Sequence, residues 1–207
     1  MSIDKAYDEW SGQYDTNKNR TRDLDEMVTK NILKDIPFSK VLELGCGTGK
    51  NTQWLSKHAD EILAVDFSEK MLEIAKEKVT DSKVRFQKAD IIKDWDWTSV
   101  KYDLVTCNLI LEHVEELKPV FEKAFSNLEH HSYFFVSELH PFKQYKGTKA
   151  RFESTNGKIE LETYTHHISE FISAANDAGF ELEKLNEWFD EDLRETPRLI
   201  SFLFHKK

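Results

Sequence analysis

The sequence predicts an α/β fold, built on a seven-stranded, mostly parallel sheet with helices on both faces. Two observations carry this expectation. Short apolar runs such as Ile62-Leu63-Ala64-Val65 alternate with segments of helical period, and strand alternating with helix makes a parallel sheet. The runs are also continuously apolar rather than alternating, as strands buried on both faces require.

The elements follow in order. Ile3, Tyr7, Trp10 and Tyr14 recur at i, i+4, i+7 and i+11, which puts three aromatics on one face of a helix within an N-terminal helical cap, residues 1–38. Strands are predicted at residues 41–44, 62–65, 84–87, 104–107 and 133–136; the first is stopped by Gly45 and the second by Asp66. A helix over 69–79 begins after Ser68, whose hydroxyl can cap it. Leu117, Val120, Phe121, Ala124, Phe125 and Leu128 fall on one face of the next.

Residues 139–166 show no helical period and read as an insertion, a lid over a site. Within it Asn156-Gly157 should turn a hairpin between Arg151-Phe152-Glu153 and Lys158-Ile159-Glu160-Leu161. A helix presenting Ile168, Phe171, Ile172 and Ala175 stops at Gly179, and strands at 180–188 and 199–205 complete seven. No repeat, low-complexity tract or linker interrupts the chain, so residues 1–207 read as a single domain.

Composition narrows the function. The 207 residues carry 29 Lys and Arg against 38 Asp and Glu, a net charge of −9. That disfavours a broad phosphate-neutralising surface, and with it nucleic acid, because duplex binding draws on clustered Lys and Arg. No basic start with an apolar core marks a secretion signal, no run is long enough for a membrane span, and Cys46 and Cys107 have no CxxC spacing. The expectation is a cytoplasmic protein with reduced thiols, monomeric or a homodimer.

Ligands of open parallel sheets bind beyond the carboxyl ends of the strands. The first such turn, Glu43-Leu44-Gly45-Cys46-Gly47-Thr48-Gly49, has three glycines that let the backbone approach a ligand. It is not a P-loop: the spacing is wrong and Lys50 precedes Asn51 rather than Ser or Thr. The dinucleotide fingerprint would need glycine where Lys50 stands, which leaves an NAD-dependent oxidoreductase as an alternative. A nucleoside without polyphosphate fits better. Asp66, ending the second strand, can accept hydrogen bonds from both ribose hydroxyls, and Asp90, after the third, can take the exocyclic amine of adenine while Ile91 packs on the ring.

Together, VLELGCGTG (41–49), AVDFSEKML (64–72), QKADI (87–91) and YDLVTCNLILEHV (102–114) resemble the ordered motifs of class I S-adenosylmethionine-dependent methyltransferases. The resemblance implies a Rossmann-like sheet whose last strand runs antiparallel, and S-adenosyl-L-methionine as cofactor. By position it assigns Glu43 and the Gly45-Cys46-Gly47 backbone to the methionine end, Asp66 to ribose, and Phe67 and Met71 to the adenine face. It also assigns Asp90 and Ile91 to adenine, and Asn108 and Leu109 to the floor beneath the sulfonium. His130-His131 departs from the glycine pair of many relatives and reads as a surface turn. Tyr7-Asp8-Glu9-Trp10-Ser11 and Tyr14-Asp15 look like the aromatic segment that folds over the cofactor in the small-molecule branch. Arg22 is a candidate partner for the methionine carboxylate.

For the acceptor, Asn108-Leu109-Ile110-Leu111 lacks the two prolines of base-amine methyltransferases, so a small molecule is expected. His140 is a candidate general base, oriented by Glu138 if the two side chains converge, with Tyr14 beside them as a third candidate catalytic residue. His166 and His167 read as helix-capping or exposed. No metal site is expected, because nothing fixes the spacing of Glu138, His140, His166 and His167 to a coordination geometry. A non-catalytic protein that binds the same cofactor is the remaining alternative.

Overall fold

The computed structural model describes residues 7, 8, 11, 19–147, 151–154, 157–160 and 163–207. Helix α1 (Arg20–Leu33) leads into β1 (Lys40–Leu44), a short α2 (Thr52–Leu55), β2 (Glu61–Asp66), α3 (Glu69–Lys78), β3 (Val84–Lys88) and β4 (Tyr102–Asn108). A 3-10 turn (Leu111–His113), α4 (Leu117–Asn127), β5 (Leu128–Leu139), α5 (Pro141–Tyr145), the strands β6 (Arg151–Ser154) and β7 (Gly157–Glu160), α6 (Ile168–Ala178), β8 (Glu181–Trp188) and β9 (Leu199–Lys206) follow.

The main sheet has seven strands in the order β3-β2-β1-β4-β5-β9-β8. Its first five strands pair in parallel, and β9 runs antiparallel to both β5 and β8. The chain reverses direction across the sheet between β1 and β4, so the carboxyl ends of these neighbours open a crevice. Register fixes what meets there: Leu44 lies opposite both Val65 and Cys107, and Asp66 lies opposite Lys88.

Strand alternation divides the apolar residues between two layers. Leu42, Leu63, Val105, Phe134 and Phe202 pack on one face with α4 and α6, while Val41, Ile62, Leu104, Phe135 and Leu203 pack on the other with α1. The predicted stripe of α4 is buried through Leu117, Val120, Phe121 and Ala124. Phe121 meets Phe134 edge to face, with centroids 5.1 Å apart. Each such fully buried ring contributes roughly 2–3 kcal/mol of transfer free energy.

Ser68 caps α3 by accepting from the Met71 amide, and Gly179 ends α6 at φ 101, as their sequence positions predict. Four expectations need correction. Residues 139–166 do contain a helix: Pro141 stands at the first turn of α5, where its missing N–H costs nothing, and His140 is the N-cap. The hairpin reverses one residue early, since Ser154 pairs with Gly157. Leu128 opens β5 rather than closing α4, and His130-His131 is exposed but lies inside the strand, with His131 at φ 60. The N-terminal aromatic helix falls outside the described residues apart from Tyr7, Asp8 and Ser11. No helix among the described residues is long and apolar enough to cross a membrane.

Candidate active site

Two cavities open at the carboxyl edge of the sheet and share Gly45, Gly47, Asn108 and Leu109 as a common wall. The larger, about 640 Å³, is lined by Tyr7, Phe67, Met71, Asp90, Ile91 and His113 among others. The smaller, about 340 Å³, is lined by Arg22, Asp25, Glu26, Glu43, Lys50 and Asn51 among others.

The glycine turn shapes the wall. Gly45 sits at φ +67, and a Cβ there would come within 2.5 Å of the Ile110 side chain, so no larger residue fits. Gly47 is at φ +53 with nothing within 4 Å of a Cβ, which leaves its backbone bare to the cavities. Asp66 holds this turn in place. One carboxylate oxygen accepts from the Gly47 amide at 2.8 Å and the other from the Ser68 amide at 2.9 Å. Each oxygen keeps a further lone pair, so the group can still accept from hydroxyls in the cavity. Burial pushes the Asp66 carboxyl up to about 6, against those amide bonds.

Glu43 is buried beneath the turn and accepts from the Thr52 hydroxyl at 2.5 Å. Burial, with the nearby Asp25 and Asp66 carboxyls, pushes it up to about 8. The Cys46 thiol is buried and its pKa raised, chiefly by burial, so it contributes backbone rather than a nucleophile. At the far end of the larger cavity, Asp90 accepts from the Ile92 amide at 3.1 Å and faces the exposed Lys93. The Trp95 indole donates to the Ile91 carbonyl at 3.0 Å and so fixes the backbone of Ile91.

Asn108 gives its amide nitrogen to α1, to Asp25 Oδ1 and to Thr29 Oγ1, each at 2.9 Å. Asp25 is a site residue that the sequence reading passed over. It is fully buried, its pKa is raised by burial against the polar side chains of Ser137, Asn108 and Asn51, and its other oxygen accepts from Asn51 at 3.0 Å. Its signal was present: Asp25, Val28, Thr29 and Ile32 share one stripe of α1, and two of the four are polar. Arg22 lines the smaller cavity.

Two further residues close the larger cavity. The Tyr7 hydroxyl lies 2.8 Å from His113 Nε2, and the Tyr7 ring meets Phe67 edge-on at 5.6 Å. The next residue, Asp8, accepts from the Ser68 hydroxyl at 2.6 Å, which ties the N-terminal segment to the start of α3. His113 is the penultimate residue of YDLVTCNLILEHV (102–114), and no spacing in the sequence marks it out. Tyr14 lies outside the described residues.

The expected partnership of Glu138 and His140 is not formed. Glu138 accepts from the Ile110 and Leu111 amides instead, and His140 turns away because β5 ends at Leu139. The Phe142 amide donates to His140 Nδ1 at 3.1 Å, which leaves Nε2 to donate to Glu187 at 2.9 Å. With both ring nitrogens engaged in this way, His140 has no lone pair left for a substrate proton. His167 caps α6 as expected; His166 is buried, with Nε2 on the Leu111 and Val114 carbonyls, so it is not exposed. Among the described residues no cluster of three or more His, Cys, Asp or Glu could hold a metal.

The chain is similar to known proteins in sequence and in fold. The model of a methyltransferase domain matches residues 41–131. An uncharacterized methyltransferase of Emericella nidulans is 27% identical over 88% of this chain and 77% of its own. A malonyl-[acyl-carrier protein] O-methyltransferase of Priestia megaterium is 32% identical over 60% of this chain and 44% of its own. The N-methyltransferase NodS of Bradyrhizobium japonicum, solved with S-adenosyl-L-homocysteine, superposes with a TM-score of 0.76 at 12% identity, covering 98% of this chain and 97% of that one. Residues 41–131 thus match a methyltransferase domain, and the chain as a whole is similar to methyltransferases in sequence and in fold.

Proposed function

We propose that the protein transfers a methyl group from S-adenosylmethionine to a small molecule, with the cofactor lying across both cavities. The observation that carries this reading is the shared wall. A ligand spanning from an acidic cleft to an apolar one must cross Gly45, Gly47, Asn108 and Leu109. Adenine would rest between Met71, Phe67 and Ile91 with Asp90 at its edge, ribose on Asp66, and the methionine end among Arg22, Glu43 and Asp25. The residues fit such a ligand: Gly47 leaves open space where any side chain would intrude, and buried carboxyls face the place where a cationic sulfur would sit. A cavity near 640 Å³ is also in the range of small-molecule sites.

The cofactor supplies a methyl group already activated on a sulfonium, so the protein's own task is to align the acceptor and exclude water. Tyr7 and His113 line the larger cavity together with Asn108 and form a hydrogen-bonded pair there. Through the Tyr7 hydroxyl, which is hydrogen-bonded to the imidazole, this pair can take the proton of an O, N or S nucleophile. The relatives named above include both an O- and an N-methyltransferase, in keeping with either heteroatom. The hairpin of β6 and β7 is inserted after β5, on the edge that carries the site, where it can serve as a lid.

Isothermal titration with S-adenosylhomocysteine, followed by an acceptor screen with labelled S-adenosylmethionine, tests the reading. Asp66→Ala should weaken cofactor binding by about 10-fold or more, since it removes a carboxylate that is hydrogen-bonded to both backbone and ligand. Tyr7→Phe should lower kcat by about 10- to 100-fold while leaving cofactor affinity within a few-fold. Tight NADH binding with no affinity for S-adenosylhomocysteine would reject it.

A further inference from the structure

We propose that Glu138 is a positioning residue that holds the 109–111 turn, and with it the wall between the two cavities, in its working shape. The inference rests on methyl transfer occurring at that wall. Glu138 stands second from the end of β5 and is only 2% exposed. A single oxygen, Oε1, accepts from two consecutive amides, Ile110 at 3.0 Å and Leu111 at 2.8 Å. Those amides follow directly on the last residues of β4 that line the cavities.

The turn needs such a clamp because its backbone is strained. Leu109 adopts φ 55, a left-handed conformation in which the Cβ of an L-residue crowds the backbone. It is locked from one side by its own amide, which donates to the Ser137 carbonyl at 2.9 Å, and from the other by Glu138. Residues 137 and 138 thus pin three successive amides of the turn. The conformation presses Ile110 against Gly45 and sets Leu109 into both cavities. Relaxing Leu109 would displace both halves of the wall at once.

The role needs an acceptor rather than a charge. Burial, reinforced by the Glu112 and Asp25 carboxyls, holds the Glu138 pKa well above the ordinary value, which favours the uncharged form, and the neutral acid keeps an oxygen that can accept from the amides. A glutamine presents the same oxygen at the same place. Glu138→Gln should therefore keep kcat and S-adenosylmethionine KM within about threefold, whereas Glu138→Leu, which has no acceptor, should lower kcat by about 10- to 100-fold, the scale of a 1 Å misplacement.

The decisive variant is Glu138→Leu combined with Leu109→Gly, because glycine adopts positive φ without strain. Partial recovery of kcat in the double variant, together with faster exchange of the Ile110 and Leu111 amides in Glu138→Leu than in wild type, is the expected result. The amide exchange is readable without activity, and so separates this proposal from the reading of the site as a whole. Should Glu138→Gln lose as much kcat as Glu138→Leu, an ionisable proton is required and the positioning role is overturned. It is equally overturned by a folded Glu138→Leu protein with unaltered kcat and amide exchange. If wild-type protein fails to bind S-adenosylhomocysteine while the amides respond as expected, the methyl-transfer reading of the site fails and the clamp stands.

Discussion

Asn108, the last residue of β4, donates to Asp25 of α1 across 2.9 Å, and the same carboxylate accepts from Asn51 just beyond the glycine turn. One buried acid thus joins the N-terminal helix to two separate strand ends of the sheet. The helix consequently lines the smaller cavity as well as covering the core. Removing one partner from a buried hydrogen bond costs about 1–3 kcal/mol. Asp25→Ala should accordingly weaken S-adenosylhomocysteine binding by about 10- to 100-fold, as measured by calorimetry. An affinity equal to wild type in a folded variant would remove Asp25 from the site.

Two carboxyls of the wall predict how stability and binding respond to pH. Glu43 is raised from 4.5 to about 8 and Asp66 from 3.8 to about 6 in the folded protein. Between the unfolded and folded values the native state holds the extra proton, so unfolding stability falls as pH rises, from about 4 to 6 for Asp66 and from about 4.5 to 8 for Glu43. Ligand-free protein should melt at a lower temperature at pH 8.5 than at pH 5.5, and Glu43→Gln should flatten the upper part of that slope. A cationic ligand favours the ionised carboxyls, so S-adenosylmethionine affinity should rise through the same interval. The neutral thioether of S-adenosylhomocysteine should show a smaller rise. Equal pH dependence for the two ligands would contradict the placement of the sulfonium beside these acids.

His140 offers a sharper contrast. As the N-cap of α5 it accepts the Phe142 amide, and Nε2 is occupied by Glu187. Asparagine is among the best N-cap residues, and its carbonyl can take the same amide. His140→Asn should hold kcat within about threefold, with any loss confined to thermal stability, whereas a general base would cost ~10² to 10⁴. A loss of that size with intact folding, measured on an identified acceptor, would return the imidazole to the chemistry.

The contrast shows which parts of this site are legible in a sequence. Gly45, Gly47, Asp66 and Asp90 each lie at or within three residues of the carboxyl end of a strand, and topology alone brings such positions to one edge, so local motifs suffice to find them. Asp25 could not be found in that way. Its meaning depends on Asn51 and Asn108, which are distant in sequence and meet it only once α1 packs on the sheet. The pairing of Glu138 with His140 failed for a local reason. Strand alternation puts the two on one face only while the strand continues, and it stops at the residue between them. Nothing in the sequence marks the strain at Leu109, because leucine has no preference for positive φ.

His131 carries the same strain at a place remote from the chemistry, and so gives a test of stability alone. It lies near the start of β5 at φ 60, exposed, in a conformation that glycine adopts without strain. The register between β4 and β5 shifts close by, between Tyr102 and Leu104, so an irregular backbone is built into this end of the strand pair. A residue other than glycine in this conformation costs roughly 1 kcal/mol. The His131 ring stacks on His205 at 6.1 Å, a contact on the protein surface that offsets only part of that cost. His131→Gly also gives the unfolded chain more freedom, which subtracts again. Strain relief should nevertheless win, raising the melting temperature by a few degrees, since about 1 kcal/mol shifts a domain of this size by roughly 2–4 °C. His131→Ala, which loses the ring and keeps the strain, should lower it. A melting temperature that falls for both variants would show that the stacked imidazoles, rather than the backbone, decide the stability of this turn.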